Sequence, residues 1–426
     1  MADVYPFRAL RYDPSLDLAS IVCPPFDTIS QELQRELYAR SEYNAVRIEL
    51  AESSGAGRYK SATNTLSRWM NNRILRRDKI PAFYLYRQSF PYGGKTYERR
   101  LLFARLRLVP WSDGVVLPHE QTFGGPKEDR IQLMRAARIN SSPVFLFYRD
   151  DDDQIHGLVS AGEQQQAPVA DFKTADGQRH QLLRLDEPET IERLTHAFED
   201  EKLYIADGHH RYETALAYRD ETQAAASEWR GDEPENFVMV ALIDYNDPGM
   251  LVLPFHRMTK VETPLAEAHG RIEGLFDLSQ VPGDAPDLTA ALDAAGDGLA
   301  IGLVTAEGMY LLTPRDAAAI DALMPQERAP EWRALDYAIV NQVLLQHCLG
   351  LTEERMKDYD AVKFTEDAEK AVAAVRTGAA NYALVMRPLP VERVLALADL
   401  GERMPQKSTF FYPKVPTGVV FNLLED

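Results

Sequence analysis

The stretch Leu203-Tyr-Ile-Ala-Asp207-Gly208-His209-His210-Arg211-Tyr212-Glu213-Thr214-Ala-Leu216 sets the tightest limits on how this chain can fold. Its apolar start reads as a buried strand that stops at Ala206. Asp207-Gly208 then breaks the run, and Tyr212, Ala215, Leu216 and Tyr218 recur at helical spacing. Glycine is the residue type that turns the backbone where a side chain would clash. A helix that starts directly after such a turn aims unpaired N–H groups and the positive end of its dipole at one spot, which favours an anion. Arg211 adds a planar, permanently charged fork that suits phosphate oxygens. Asp207 brings a carboxylate that can hold a metal ion or receive a proton. Asp-Gly alone is ordinary turn chemistry. With two histidines and an arginine at the same junction, phosphate binding with chemistry beside it is the stronger reading.

Other polar clusters also follow apolar runs. Asp27 lies in Cys23-Pro-Pro-Phe-Asp27-Thr-Ile-Ser30, ahead of a helix through about Tyr38. There Asp27 or Ser30 caps the helix, or Asp27 faces a substrate. Pro118-His119-Glu120-Gln121-Thr122, then Gly124-Gly125-Pro126, has no period and reads as a loop. Lys127-Glu128-Asp129-Arg130 opens a helix to about Ile139. Cations in a first helical turn oppose the dipole, so Lys127 and Arg130 are better explained if an anion comes near. His256 follows the apolar segment Met250 to Pro254. Lys407-Ser408-Thr409 has the last residues of a phosphate-binding loop but not its glycine-rich part. No P-loop is assigned, and the three remain candidates for phosphate or carboxylate contacts. Clusters that repeatedly follow strand-like runs point to one cleft gathered from several strand ends.

The elements between them predict a mixed α/β (α+β) fold. Residues 5–12, 19–24, 44–50, 144–148, 236–244 and 382–386 read as strands, and 82–90 with 95–109 as a hairpin around Gly93-Gly94. Residues 58–75, 188–198, 209–222, 332–349, 366–376 and 391–400 read as helices, and 150–170 as a hairpin tip or surface loop. Residues 261–321 suggest an accessory α+β subdomain. Three regions are expected: 1–150, 151–260 and 261–426. A chain of 426 residues has room for that many. A net charge of −18 argues against a broad nucleic-acid surface. The two cysteines fit free thiols in a reducing cytoplasm better than a disulfide framework. No apolar run approaches a membrane span, and the N-terminus has no signal-peptide core. The expectation is a cytoplasmic protein.

Asp207-Gly208-His209-His210-Arg211 resembles the Asp-Gly-His-x-Arg signature of the ParB/sulfiredoxin superfamily, which includes the free serine kinases. In addition, Cys23 to Ser30, Leu117 to Thr122, Pro126 to Arg130, Asn140 to Pro143, Leu253 to Arg257 and Met404 to Lys414 resemble the family known as domain of unknown function 1015. The resemblance implies a ParB/sulfiredoxin-like core with additional α+β subdomains, whose signature turn binds nucleotide phosphates. Carried over by position, Asp207, His209 and Arg211 match the kinases. These have a hydroxyl residue where this chain has His210, and their upstream glutamate has no motif match here, so Glu120 is taken for that role. The catalytic cysteine of sulfiredoxin is absent from the turn.

Together these readings predict a nucleotide-dependent phosphotransferase acting on a small hydroxylated metabolite, with free serine as candidate. Asp207, His209 and Glu120 are the catalytic candidates. Gly208, His210, Arg211, Lys127, Arg130, Lys407, Ser408 and Thr409 are the nucleotide and phosphate candidates. Asp27, His119, Thr122 and His256 are the substrate candidates. Asp207 and Glu120 would hold Mg²⁺, with ATP or ADP as donor. The expected partners are nucleotide and small substrate, with neither nucleic acid nor membrane, and a homodimer is allowed. Four of nine histidines lie in these clusters, but their spacing matches no established metal motif. The alternatives are a metal-dependent phosphohydrolase and a non-enzymatic nucleotide-sensing regulator.

Overall fold

The computed structural model describes residues 2–52, 55–120, 125–356, 358 and 360–425, with the side chains of Ala56, Pro126 and Lys127 outside that description. The chain divides into two compact units. The first comprises residues 1–118, 122–251 and 413–426, and the second 119–121 and 252–412.

The first unit is built on a mixed sheet, nine-stranded among the described residues. Its order is Val116–Leu117, Leu203–Asp207, Val144–Tyr148, Phe237–Asp244, Lys95–Arg107, Phe83–Tyr92, Arg179–Leu185 and Ala170–Lys173, and Val4–Tyr5 also pairs with Lys95–Arg107. Leu203–Asp207 runs parallel to Val116–Leu117 and antiparallel to Val144–Tyr148, which in turn runs parallel to Phe237–Asp244. Leu203, Ile205, Leu146, Val240 and Leu242 alternate onto one face and meet Tyr212, Ala215 and Tyr218 of helix His209–Ala225. Period 2 on the sheet and period 3.6 on the helix thus bury a single apolar layer. That packing fixes the start of the helix at the end of its strand. Tyr212 anchors the first turn further, because its hydroxyl donates to the Val109 carbonyl (2.9 Å) and accepts from the Val109 N–H (3.1 Å).

The second unit carries an antiparallel sheet, six-stranded among the described residues, in the order Phe276–Val281, Gly308–Pro314, Ile301–Thr305, Tyr382–Val385, His256–Thr259 and Val362–Thr365. Ile301, Leu303 and Leu384 face a core containing Ile272, Leu344 and Val394. Val304, Ala383 and Val385 face another containing Leu288, Leu292 and Val372. Helices therefore cover both faces of this sheet, which is why its central strands read as continuous apolar runs.

A mixed α/β architecture was expected, and most elements fall near their predicted positions. Three do not. Residues 44–50 form the short helix Val46–Glu49 rather than a strand, and Leu18–Ile21 is a helical turn where a strand was predicted. The 150–170 loop contains helix Gln154–Gln164, with Ile155, Leu158, Val159 and Gly162 buried. Among the described residues, no helix is long and apolar enough to cross a membrane.

Candidate functional site

In the first unit, Asp207 ends the strand, Gly208 has φ +93°, and the 17-residue helix His209–Ala225 begins at once. The left-handed turn at Gly208 folds Arg211 back over the backbone. A Cβ built on Gly208 would lie 2.9 Å from the Arg211 Nε and 3.0 Å from its Cζ. The guanidinium occupies that space. Its Nη2 donates to Asp207 Oδ2 (2.6 Å) and its Nη1 donates to the Pro143 carbonyl. The other Asp207 oxygen accepts from Lys414 Nζ at 2.9 Å. Asp207 is thus clamped between two cations, with all three side chains only 11–20% exposed. Pairs this secluded are screened less than surface pairs. His209 is buried and His210 half-buried at the helix start. Lys414 was quoted from sequence only as part of the closing motif, and the structure makes it a member of this turn.

Arg130 also lies in this unit but not on a solvated helical turn. It is buried, donates to Asp129 and to the Glu49 carbonyl (2.9 Å from Nη1), and lies 4.1 Å over the Phe26 ring. Burial alone would raise the Asp129 carboxyl, but Arg130, Tyr59 and Arg58 more than reverse this and hold it below the usual range. Glu49 is a second buried carboxylate. Its Oε1 accepts from Ser142 Oγ (3.0 Å) while its Oε2 has no hydrogen-bond partner. Together with Arg130, Ser142, Thr214 and Arg211, Glu49 borders a cavity of about 30 Å³. Sequence reasoning missed Glu49, because nothing local marks a carboxylate that is buried by distant segments. Asp27 sits exposed in the short 3₁₀ turn Phe26–Thr28, and Ser30 is the residue that caps the next helix, accepting from the Leu33 N–H at 3.1 Å.

The second unit carries the other predicted cluster. Glu120 Oε1 accepts from the backbone N–H of Lys407 at 2.6 Å, where Lys407 adopts φ +57°. The Lys407 ammonium lies 5.3 Å over the Phe255 ring. His119 is fully buried, with Nε2 3.2 Å from Thr409 Oγ1 and its ring edge-on to Phe411. Ser408 is buried and donates its hydroxyl to the Pro405 carbonyl at 2.6 Å. His119, Ser408 and Thr409 thus spend polar groups on shaping the loop around Glu120. His256 lies inside the sheet. It accepts from the Met386 N–H at Nδ1 (3.0 Å), and burial pulls its imidazole down to about 4. It is therefore neutral at ordinary pH. The adjacent Arg257 was not predicted. It is fully buried, pulled down to about 10 by burial against the opposing pull of Tyr337 and Glu120, and held by neutral groups, Asn341 Oδ1 (3.0 Å) and the Phe255 carbonyl (3.1 Å).

The predicted residues therefore fall into two sets: Asp207, Gly208, His209, His210, Arg211, Arg130 and Asp27 in the first unit, and His119, Glu120, His256, Lys407, Ser408 and Thr409 in the second. Thr122 and the side chain of Lys127 lie outside the described residues, although Lys127 falls within helix Gly125–Ala137. Among the described residues, no group of three His, Cys, Asp or Glu could hold a metal ion.

Three comparisons place the chain among known proteins. Similar solved structures include a mutant of free serine kinase in complex with AMP, at 15% identity over 73% of this chain and 86% of that one, with a TM-score of 0.38. A conserved hypothetical protein from Pyrococcus furiosus matches at 14% identity over 74% and 93%, with a TM-score of 0.36. SbnI with a C-terminal truncation, from Staphylococcus aureus, matches at 10% identity over 73% and 85%, with a TM-score of 0.35. No curated protein matches the chain. The model of the family described as "Protein of unknown function (DUF1015)" matches residues 4–338, well over half of the sequence, and the chain belongs to that family.

Proposed function

We propose that the protein is a nucleotide-dependent phosphotransferase that acts on a small hydroxylated metabolite, with free serine as the first candidate, and that its nucleotide site is a ParB/sulfiredoxin-like turn in the first unit. One observation carries the reading: Arg211 lies folded over Gly208 at the start of a 17-residue helix, beside Asp207 and Lys414. The first N–H groups of any helix have no intrahelical acceptor, and the dipole adds positive potential at the same point. Two cations converge there on one carboxylate, so the turn has a net positive charge and suits phosphate oxygens. Phosphoryl transfer needs positioning and charge stabilisation more than covalent chemistry, and this turn supplies both.

The geometry does not suit a resident metal. Asp207 already has a cation on each oxygen, and Glu120 Oε1 is held by a backbone N–H. A divalent cation in this reaction arrives with the nucleotide's phosphates, as part of the substrate. Asp207 then orients Arg211 and Lys414 toward those phosphates.

The clamped state of Asp207 also favours a second reading. A carboxylate neutralised by two cations is poised to organise an anion site rather than to take a proton, which is what a nucleotide-sensing regulator would use. One assay separates the two readings. ATP, ADP or CTP with Mg²⁺ is incubated with a panel of amino acids and small alcohols, using wild type and Asp207→Asn. A phosphorylated product that the variant fails to make supports the kinase. Nucleotide binding without turnover, abolished by Arg211→Ala, supports the sensor. Absence of nucleotide binding overturns both.

A further inference from the structure

A second pocket of the first unit has a charge opposite to that of the chain as a whole. It encloses about 320 Å³, and Arg8, Arg77, Arg105, Phe7, Phe237 and Glu425 are in its wall. Among the described lining residues, three carry positive charge and one negative. That is notable in a chain whose net charge is −18, where random placement would favour an acidic lining. None of these residues belongs to the Asp207 turn.

The three guanidinium groups are held in place by contacts that include neutral ones. Arg8 Nε donates to the Asp78 carbonyl at 3.0 Å, and Arg77 Nη2 donates to the Glu425 carbonyl at 2.7 Å. Arg105 lies 4.4 Å over the Phe237 ring, which packs edge-on against Tyr5. A guanidinium fixed by a π face or a peptide carbonyl keeps its full charge, and its orientation is settled before any ligand arrives. Phe7 and Phe237 are buried and give the pocket an apolar wall. Pro6, Pro81 and Pro234 also border it and stiffen its rim.

We propose that this pocket binds a small organic anion, one that joins a phosphate or carboxylate group to a flat or apolar part. Arginine forks match either oxyanion in bidentate fashion. The volume lies at the low end of small-molecule sites, about 300–1,000 Å³, which suits a metabolite of one or two charges better than a nucleoside triphosphate. Glu425 at the rim opposes a heavily charged ligand for the same reason. The described lining residues offer arginine forks and apolar rings, and the role proposed for them is binding.

The test is calorimetric titration of the full chain at low ionic strength with inorganic phosphate, succinate and benzoate as separate probes. Variants Arg105→Gln and Arg8→Gln are compared with wild type, and Arg193→Gln, an exposed helical arginine, is the control. Saturable binding of at least one probe is expected, weakened about tenfold or more by Arg105→Gln (one charge-assisted pair), weakened also by Arg8→Gln, and unchanged in the control. Preference for phosphate over the two carboxylates, or the reverse, names the anionic group. Arg8 is exposed, so its variant keeps the test open if Arg105→Gln does not fold. Absence of binding of all three probes to wild type, or equal binding by wild type and both pocket variants, overturns the proposal.

Discussion

Asp207 and Glu120 are both acidic residues beside a backbone turn of positive φ, yet they are held in opposite ways. Asp207 is gripped by side-chain charges, Arg211 at 2.6 Å and Lys414 at 2.9 Å, and the residue with positive φ beside it is Gly208. Glu120 is gripped by a backbone N–H at 2.6 Å, and the residue with positive φ is Lys407, a non-glycine. Charge partners can be deleted one at a time, and each deletion leaves something buried and unbalanced. A backbone donor survives every substitution except proline. The first turn should therefore be fragile to side-chain change, and the second tolerant of it.

The largest effect is expected from Gly208→Ala. Left-handed backbone costs an alanine about 1–2 kcal/mol, and its Cβ would fall 2.9–3.1 Å from Arg211 guanidinium atoms, so the clamp on Asp207 must shift too. A loss of roughly 2–3 kcal/mol in denaturant unfolding is expected, together with any nucleotide affinity. An unchanged midpoint would mean that Arg211 does not lie over the turn. Lys414→Met comes next. It leaves Asp207 with one cation in a site shielded from water and should cost roughly 1–3 kcal/mol, between the exposed and the fully buried cases. Lys407→Met removes only an ammonium over a ring and should stay within about 0.5 kcal/mol. Equal losses at Lys414 and Lys407 would break the contrast.

The strand, turn and helix at 203–225 were legible because three local signals agreed: an apolar run, Asp-Gly, and helical spacing from Tyr212. Buried strand Phe237–Asp244 was legible from its unbroken apolar run. Val46, Ile48 and Leu50 alternate like a strand, but the segment is one helical turn with Val46, Ile48 and Glu49 all buried. Over so few residues the two periods cannot be told apart. Helix Gln154–Gln164 was hidden by its ends: Asp150 to Asp153 and Gln164 to Gln166 read as loop, while Ile155, Leu158, Val159 and Gly162 carried the helical spacing between them. At the site, the Gly208 turn and Arg211 were readable locally. Lys414 joins Asp207 from 207 positions away, and such a pairing leaves no mark in either local sequence. The buried states of His119, His256 and Arg257 were hidden for the same reason, since only the tertiary fold decides whether a polar residue after an apolar run faces water.

Glu201 gives a third way of keeping a carboxylate, with neither a cation clamp nor a well-matched donor. It sits half-buried, and its carboxyl is pushed up to about 7 by burial first and then by Asp150, Asp151 and Asp152, against one backbone donor, Arg149. The folded state therefore holds this proton more tightly than the unfolded chain. The stability it contributes is complete below the ordinary glutamate range and is lost as pH rises toward and through 7. Glu201→Gln should melt close to wild type at about pH 4.5 and above it at about pH 8.5. A constant difference between the two melting curves would show that neither burial nor the neighbouring aspartates raise the Glu201 carboxyl.

The last effect straddles zero, unlike the largest, and tests the contrast most directly. Lys407→Gly places the residue suited to positive φ where φ is +57°. Relief of the left-handed backbone is worth about 1–2 kcal/mol. Against it stand the extra chain entropy of glycine, about 0.5–1 kcal/mol, and the lost contact of the half-buried Lys407 ammonium with the Phe255 ring, about 0.5 kcal/mol. The net lies between about 0.5 kcal/mol lost and 1 kcal/mol gained, while Gly208→Ala loses about 2–3 kcal/mol at a turn of the same handedness. The N–H that holds Glu120 is retained in Lys407→Gly, so any turnover that depends on Glu120 should persist. A loss above about 1 kcal/mol would mean that the lysine side chain, rather than the backbone, sets the loop around Glu120, and the two carboxylates would then be held by the same physics.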